Sequence, residues 1–196
     1  MTDPTTPAAP HGRRNRLALF ALLAVFLLPI LVAAIINFSG RRPAPTRQHG
    51  QLLQPPLDLG AVQPRLIDGS VYAWEPTARI WRIVVAPPAN CTTECTKLAH
   101  DLDTVWRLFG RNADRVHVLW ICNARDCKPP RDVLSPAVLR VLEANPAFHD
   151  RLPGVDVADG VPVYVIDPNG FLVLRYAPGF DPGGLRADMA RLLKLM

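Results

Sequence analysis

The longest feature of the hydropathy pattern is an uninterrupted apolar run. Residues 17–38, LALFALLAVFLLPILVAAIINF, carry no charged side chain. As a helix at 1.5 Å per residue they reach roughly 33 Å, enough for the ~30 Å hydrocarbon core of a bilayer. A soluble helix of this length keeps a polar face, and the apolar region of a secretory signal is shorter, ~7–15 residues. The run is therefore expected to be an uncleaved transmembrane helix, kinked at Pro29, with residues 1–16 as its tail.

After the run the pattern breaks up. Residues 39–66 are rich in Pro, Gln, Gly and Leu and read as a linker leading to a short edge element. From residue 67 a folded texture begins. SVYAW at 70–74 and RIWRIVVA at 79–86 predict strands, the second apolar enough to be buried on both faces. Cys95, Leu98, Leu102, Val105, Trp106 and Phe109 then recur at helical spacing, with Gly110 as the stop. Residues 115–122 predict a strand. Residues 135–145 predict a short helix, with Ser135 as N-cap and Pro136 at its first position. Residues 161–167 and 171–176 predict two strands joined by the turn Pro168-Asn169-Gly170. A closing helix is expected over 181–195, capped by Asp181. Parallel strands joined by helices and followed by a hairpin make an α/β domain, a central mixed sheet flanked by helices, over 67–196.

Composition changes this picture little. The chain has 196 residues, 49% of them hydrophobic and 20% charged, which excludes an overall disordered chain. Eight of its 21 prolines cluster in residues 1–10 and between 43 and 64, where disorder or linker is expected. The net charge of +5 comes with no basic stripe interleaved with aromatics, so nucleic acid is not an expected partner. Arg13, Arg14 and Arg16 before the apolar run balance Arg41, Arg42 and Arg47 after it. Charge alone therefore does not orient the span. A short tail and a large C-terminal mass favour a cytoplasmic tail and an external domain.

The candidate chemistry is in the four cysteines. Cys91 and Cys95 are spaced C-x3-C where a strand gives way to a helix. A helix N-terminus lowers the pKa of a thiol placed there. Residues four apart on a helix stand on one face, with Cα atoms roughly 6 Å apart, inside the ~4.4–6.8 Å that a disulfide spans. The pair can close a disulfide or offer two thiolates to a soft ion such as Cu(I). A buried apolar cysteine with a chance neighbour is the plainer alternative. Cys122 and Cys127 form a C-x4-C in a polar run. In an oxidising compartment these make a local structural disulfide. Alternatively they are a relay partner for the first pair, because loops after parallel strands share one edge of a sheet. His11, His49, His100, His117 and His149 lack metal-ligand spacing to the cysteines, and Asp167 reads as a turn former.

The apolar run with its LLP, the phrase QLLQPP at 51–56, the C-x3-C, the DPNG turn at 167–170 and the tail RYAPGFDP at 175–182 together resemble the Sco/SenC proteins of proteobacteria. The resemblance runs over most of the chain, from about residue 17 to the end. It implies a thioredoxin-like fold, a single-pass anchor in the inner membrane, a periplasmic domain, and a role in cytochrome c oxidase assembly by copper delivery or thiol reduction. Cys91 and Cys95 match the family's copper-binding cysteines. Its third ligand, a histidine, has no counterpart; the matching position holds Asp159, and 155–163 contains no histidine. Thr92 and Thr96 stand where the family commonly has prolines. The implied partners are the membrane and oxidase subunits or other assembly factors, with copper as the implied metal. Two other functions fit the same residues. One is a general periplasmic thiol–disulfide oxidoreductase, for which Pro162 is the natural cis-proline candidate. The other is a redox-silent binding module. Any enzymatic activity is at most thiol–disulfide exchange.

Overall fold

The computed structural model describes residues 11–38, 48–89, 91–122 and 131–195. The chain divides into two units, Met1–Thr46 and Arg47–Met196. In the first unit, α1 (His11–Phe38) is one helix of 28 residues with Pro29 inside it. Leu19, Phe20, Leu23, Phe26, Leu28 and Ile30 are all exposed, and the apolar side chains favour no one side. Among the described residues no helix is long and apolar enough to cross a membrane. The side chains described in α1 are only those of 18–32 and 34–35, less than the expected span of 17–38. The expected anchor is thus present as a helix, but not as a demonstrated span.

The second unit is built on a mixed six-stranded sheet in the order β1-β6-β5-β2-β3-β4. β1 (Gln51–Asp58) leads to β2 (Trp81–Val85), α2 (Thr93–Arg107) and β3 (Val116–Cys122). β4 (Leu139–Glu143), the one-turn α3 (Pro146–His149), β5 (Val163–Ile166), β6 (Phe171–Tyr176) and α4 (Pro182–Leu192) follow. β2, β3 and β4 are parallel, while β5 runs antiparallel to β2, β6 to β5 and β1 to β6. Strand alternation divides the core in two. Trp81, Ile83 and Val85 of β2 face α2 and α4, together with Val118 and Trp120 of β3 and Val163 and Val165 of β5. On the other face Val84, Leu119, Ile121, Tyr164 and Ile166 pack under Leu59, Tyr72, Trp74 and Phe148.

Local signals explain several elements. Asp181 caps α4, its carboxylate accepting from the N–H groups of Gly183 (3.0 Å) and Gly184 (2.9 Å). The β5–β6 turn is shaped by Asp167, whose Oδ1 accepts from the N–H groups of Asn169 (2.9 Å) and Phe171 (2.8 Å). Gly170 in that turn has φ 91° and lies against Gly60, where a side chain would meet backbone.

Three expectations need correction. The strand expected over 70–74 is not formed; that stretch makes only the isolated bridge Arg65↔Val71. The helix expected over 135–145 is a strand: 139–143 form β4, paired with β3 from Val118↔Leu139 to Cys122↔Glu143. Ser135 does start a turn, its Oγ accepting from the Ala137 N–H at 3.2 Å, but the turn ends at once. Val138, Leu139, Val141 and Leu142 are buried, so pairing at the sheet edge overrides the local helix signal. The stretch 39–66, read as linker, contains β1 and the buried Leu59 and Val62. β1 carries Pro55 and Pro56, which an edge strand tolerates, and its register shifts between Leu52 and Leu57. The Gln54–Pro55 bond is the only cis peptide among the described residues, so the bond before Pro162 is not cis.

Candidate functional site

β2 delivers the chain to the C-terminal edge of the sheet. Pro87 and Pro88 end the strand, and the Cys91 N–H donates to the Pro88 carbonyl at 3.1 Å, closing a turn. Cys91 stands just outside α2 and Cys95 in its first turn. A disulfide joins them, with Cα atoms 5.7 Å apart. The spacing expected for two helical residues is kept although only Cys95 is helical. Cys91 is half-buried, whereas Cys95 is 8% exposed and belongs to the α2-facing core. Chain entry from the strand thus presents one sulfur outward, and the helix packs the other inward.

Thr92, at the helix N-cap, makes no side-chain capping bond; instead its carbonyl accepts from the Thr96 N–H (3.0 Å) and Thr96 Oγ1 (3.1 Å). Uncapped N–H groups at this end leave the helix dipole open toward the sulfurs, which favours thiolate once the disulfide is reduced. Glu94, inside the C-x3-C, reaches across to accept from the Val161 N–H at 3.1 Å. That bond ties the cysteine turn to the loop before β5, which also carries the exposed Asp159.

An open hollow of about 710 Å³ lies beside the disulfide, with Cys91, Cys95, His100, Trp120, Asp132 and Val133 among its lining residues. His100, five residues after Cys95 on α2, also lines this hollow. A smaller cavity of about 250 Å³ by β4, lined by Leu66, Leu134 and Arg140 among others, contains no thiol.

The other predicted residues are placed as follows. Cys122 ends β3 and is disulfide-bonded, while Cys127 lies outside the described residues. His49 pairs with Asp188 (3.4 Å), and His149 lies near Asp150 (3.6 Å) and Asp156 (3.3 Å). Among the described residues no group of three or more His, Cys, Asp or Glu could hold a metal ion. The donors that suit copper are the two sulfurs, soft ligands for a soft monovalent ion when reduced.

Three features escaped sequence reasoning. Glu94 is the acid in the first turn of α2, and only the return of the chain at Val161 gives it a partner. Arg82, inside the apolar run of β2, is 1% exposed. Its guanidinium donates to the carbonyls of Asp167 (3.0 Å), Pro168 (3.1 Å) and Trp74 and to Tyr72 Oη (3.1 Å). It also lies over the rings of Tyr72 and Trp74. Asp188, 2% exposed, accepts at Oδ2 from the N–H groups of His49 (2.7 Å) and Gly50 (3.0 Å) and from Tyr176 Oη (2.9 Å).

A family model described as transmembrane-like, thioredoxin-like, C-terminal domain matches residues 81–196. No curated protein matches the chain. Among solved structures, a SCO1/SenC family lipoprotein from Bacillus anthracis is 17% identical, with a TM-score of 0.52 over 71% of this chain and 98% of that one. Yeast Sco1, solved with copper bound, is 15% identical with a TM-score of 0.54, covering 75% and 93%. BsSco, described as a member of the Sco family of cytochrome c oxidase assembly proteins and as carrying a disulfide switch, is 12% identical with a TM-score of 0.51, covering 80% and 99%. At these identities the likeness is one of fold, and the fold is thioredoxin-like.

Proposed function

The chain belongs to the family of transmembrane-like, thioredoxin-like C-terminal domains, and on that premise we propose that it is a membrane-anchored assembly factor for cytochrome c oxidase. It acts through Cys91 and Cys95, by handing over Cu(I) or by reducing the cysteines of the oxidase copper site. α1 is its single inner-membrane anchor and the thioredoxin-like domain faces the periplasm. The observation that carries the reading is the half-exposed Cys91, bonded to the buried Cys95 at the start of α2, at the mouth of an open hollow. The fold shared with Sco proteins, one of them solved with copper, supports it. So do the exposed apolar side chains of α1 from Leu19 to Ile35, which water would not tolerate and lipid would cover.

The chemistry follows from the two environments. Reduction supplies two electrons and two protons and opens the disulfide to a dithiol. Cys91, outward and beside the helix N-terminus, ionises first and attacks one sulfur of a target disulfide. The target's other sulfur leaves as thiolate and takes a proton. Cys95 then attacks the mixed disulfide, releasing the target as a dithiol and restoring Cys91–Cys95. With Cu(I) as cargo the same two sulfurs bind it as thiolates in linear two-coordination, a geometry that needs no third donor. Asp159 adds little, because carboxylate oxygen is a poor ligand for a soft ion.

The test is a Cu(I) titration of the reduced full chain in detergent against a competing chelator without oxygen, beside a Cys91→Ser, Cys95→Ser variant. One copper per chain is expected, with binding lost in the variant. Equal binding by both proteins, or by neither, sinks the copper reading and leaves thiol exchange to be measured on a model disulfide.

A further inference from the structure

The Cys91–Cys95 disulfide closes a short ring, with a sequence separation of 4, and Glu94 lies inside it. An acid in the first turn of a helix ordinarily serves the free N–H groups of that turn. Here the carboxylate is aimed elsewhere: Oε1 accepts from the Val161 N–H at 3.1 Å, across 67 residues. Lys97, three residues further along α2, pairs with Asp101 at 2.8 Å and not with Glu94. Val161 is 4% exposed, and no backbone carbonyl among the described residues takes its N–H. A buried donor left unmet is costly, so Glu94 is a partner the loop needs. The approach is close as well, since a side chain at Gly160 would run into Glu94 and Pro178. Other polar ties on the ring are local. The Cys91 N–H donates to the Pro88 carbonyl, Thr96 donates to the Thr92 carbonyl, and Thr92 gives no side-chain cap. Among the described residues, only the Glu94 tie reaches from the ring to a distant part of the chain.

We propose that Glu94 is a positioning residue for the redox pair: its bond to Val161 holds the first turn of α2 so that Cys91 and Cys95 stay within bridging reach, and it couples their redox state to the loop before β5. The proposal deepens the proposed function, rests on Cys91 and Cys95 being redox-active, and is independent of copper. Reduction adds two electrons and two protons and opens the S–S bond. The covalent tie is then gone, and an uncapped first turn is free to fray. The tether decides how often the two thiols meet. Thiols held in place act at a high effective concentration, so their disulfide re-forms readily and the pair is the stronger reductant toward a target. Without the tether the dithiol gains freedom and gives up its electrons less readily. Such coupling is reciprocal. Whatever the Glu94 bond adds to the stability of the disulfide, the disulfide adds to the stability of the bond. The Val161 N–H is therefore better protected in the oxidised protein than in the reduced one.

The test poises the full chain, in detergent, in glutathione buffers of graded ratio. Alkylation and peptide mapping read Cys91 and Cys95 apart from the other cysteines. In Glu94→Ala the equilibrium constant for forming the Cys91–Cys95 disulfide is expected to fall on the order of tenfold, the worth of one charge-assisted hydrogen bond. Glu94→Gln keeps an oxygen for the Val161 N–H without the charge and should recover most of that loss. A Glu94→Ala constant equal to the wild type's overturns the proposal, even if the urea midpoint falls. An equal fall in both variants overturns it too, because the charge and not the tether would then act. A third measurement needs no variant. Hydrogen exchange at the Val161 amide of the wild type should quicken on the order of tenfold after reduction, by the same coupling; equal exchange in the two states overturns the proposal. Variants that match the wild type, while wild-type Cys91–Cys95 reduces a model disulfide, sink this inference and leave the proposed function standing. A wild-type pair that exchanges with neither glutathione nor the model disulfide removes the inference together with the redox arm of that function.

Discussion

Arg82 shows how one side chain can sit against the pattern around it. Burying a guanidinium is costly unless its donors are met, and here three carbonyls, a phenol and two aromatic faces meet them. The same cation acts on His117, whose Nδ1 lies 2.8 Å from Tyr72 Oη. Burial, then Arg140 and Arg82, push the His117 pKa down to about 4. The unfolded chain, with an ordinary histidine pKa of ~6.5, binds this proton more readily than the folded one. Stability is therefore expected to be full above about pH 6.5 and to fall as the pH drops from there toward 4. Urea midpoints between pH 7.5 and 5 should decline less in a His117→Asn variant than in the wild type. Parallel declines would show that His117 is not the group responsible.

Among the elements, β1 and α4 depend on each other through Asp188. Burial alone would raise this carboxyl, but the N–H of Gly50, the Tyr176 hydroxyl and His49 outweigh it and hold its pKa below the usual carboxylate range. The fit around it is close: a side chain at Gly50 would run into Tyr176, and one at Gly184 into His49. The latch thus holds the first residues of the domain onto α4 and leads them into β1. Asp188→Ala leaves the His49 and Gly50 N–H groups, the Tyr176 hydroxyl and the Arg191 guanidinium without this acceptor and is expected to cost about 2–4 kcal/mol. Urea unfolding would show the loss, and hydrogen exchange should locate the loosening at 49–52. Unchanged exchange there would mean that β1 is held by its pairing with β6 alone. β4 teaches the opposite lesson about elements, since a residue pattern that starts like a helix is drawn into the sheet by a free parallel edge on β3.

At the scale of the whole molecule, two units meet two solvents under the proposed function. The domain closes its own core on both sheet faces, while α1 keeps large apolar side chains outward. Removing residues 1–38 is expected to move the protein from the membrane pellet to the soluble fraction after high-speed centrifugation. A shortened chain that still pellets, and resists a carbonate wash, would place the membrane contact in the domain.

The amino-acid sequence by itself determined what depends on neighbours a few residues away. The apolar run, the periodic helix after Cys91, the Asp181 cap, the Asp167 turn and the C-x3-C at a strand-to-helix junction were all legible for that reason. The first pair's geometry was legible too, because four residues span so short a distance. Tertiary structure decided whatever needed a distant partner. His49 meets Asp188 across 139 residues, Glu94 meets Val161 across 67, and Arg82 meets Pro168 across 86. The proline-bearing 51–58 segment is a strand only because β6 offers it an edge, and 139–143 only because β3 does. Such contacts leave no local period in a sequence, since their free energy comes from groups that the folded backbone alone brings together.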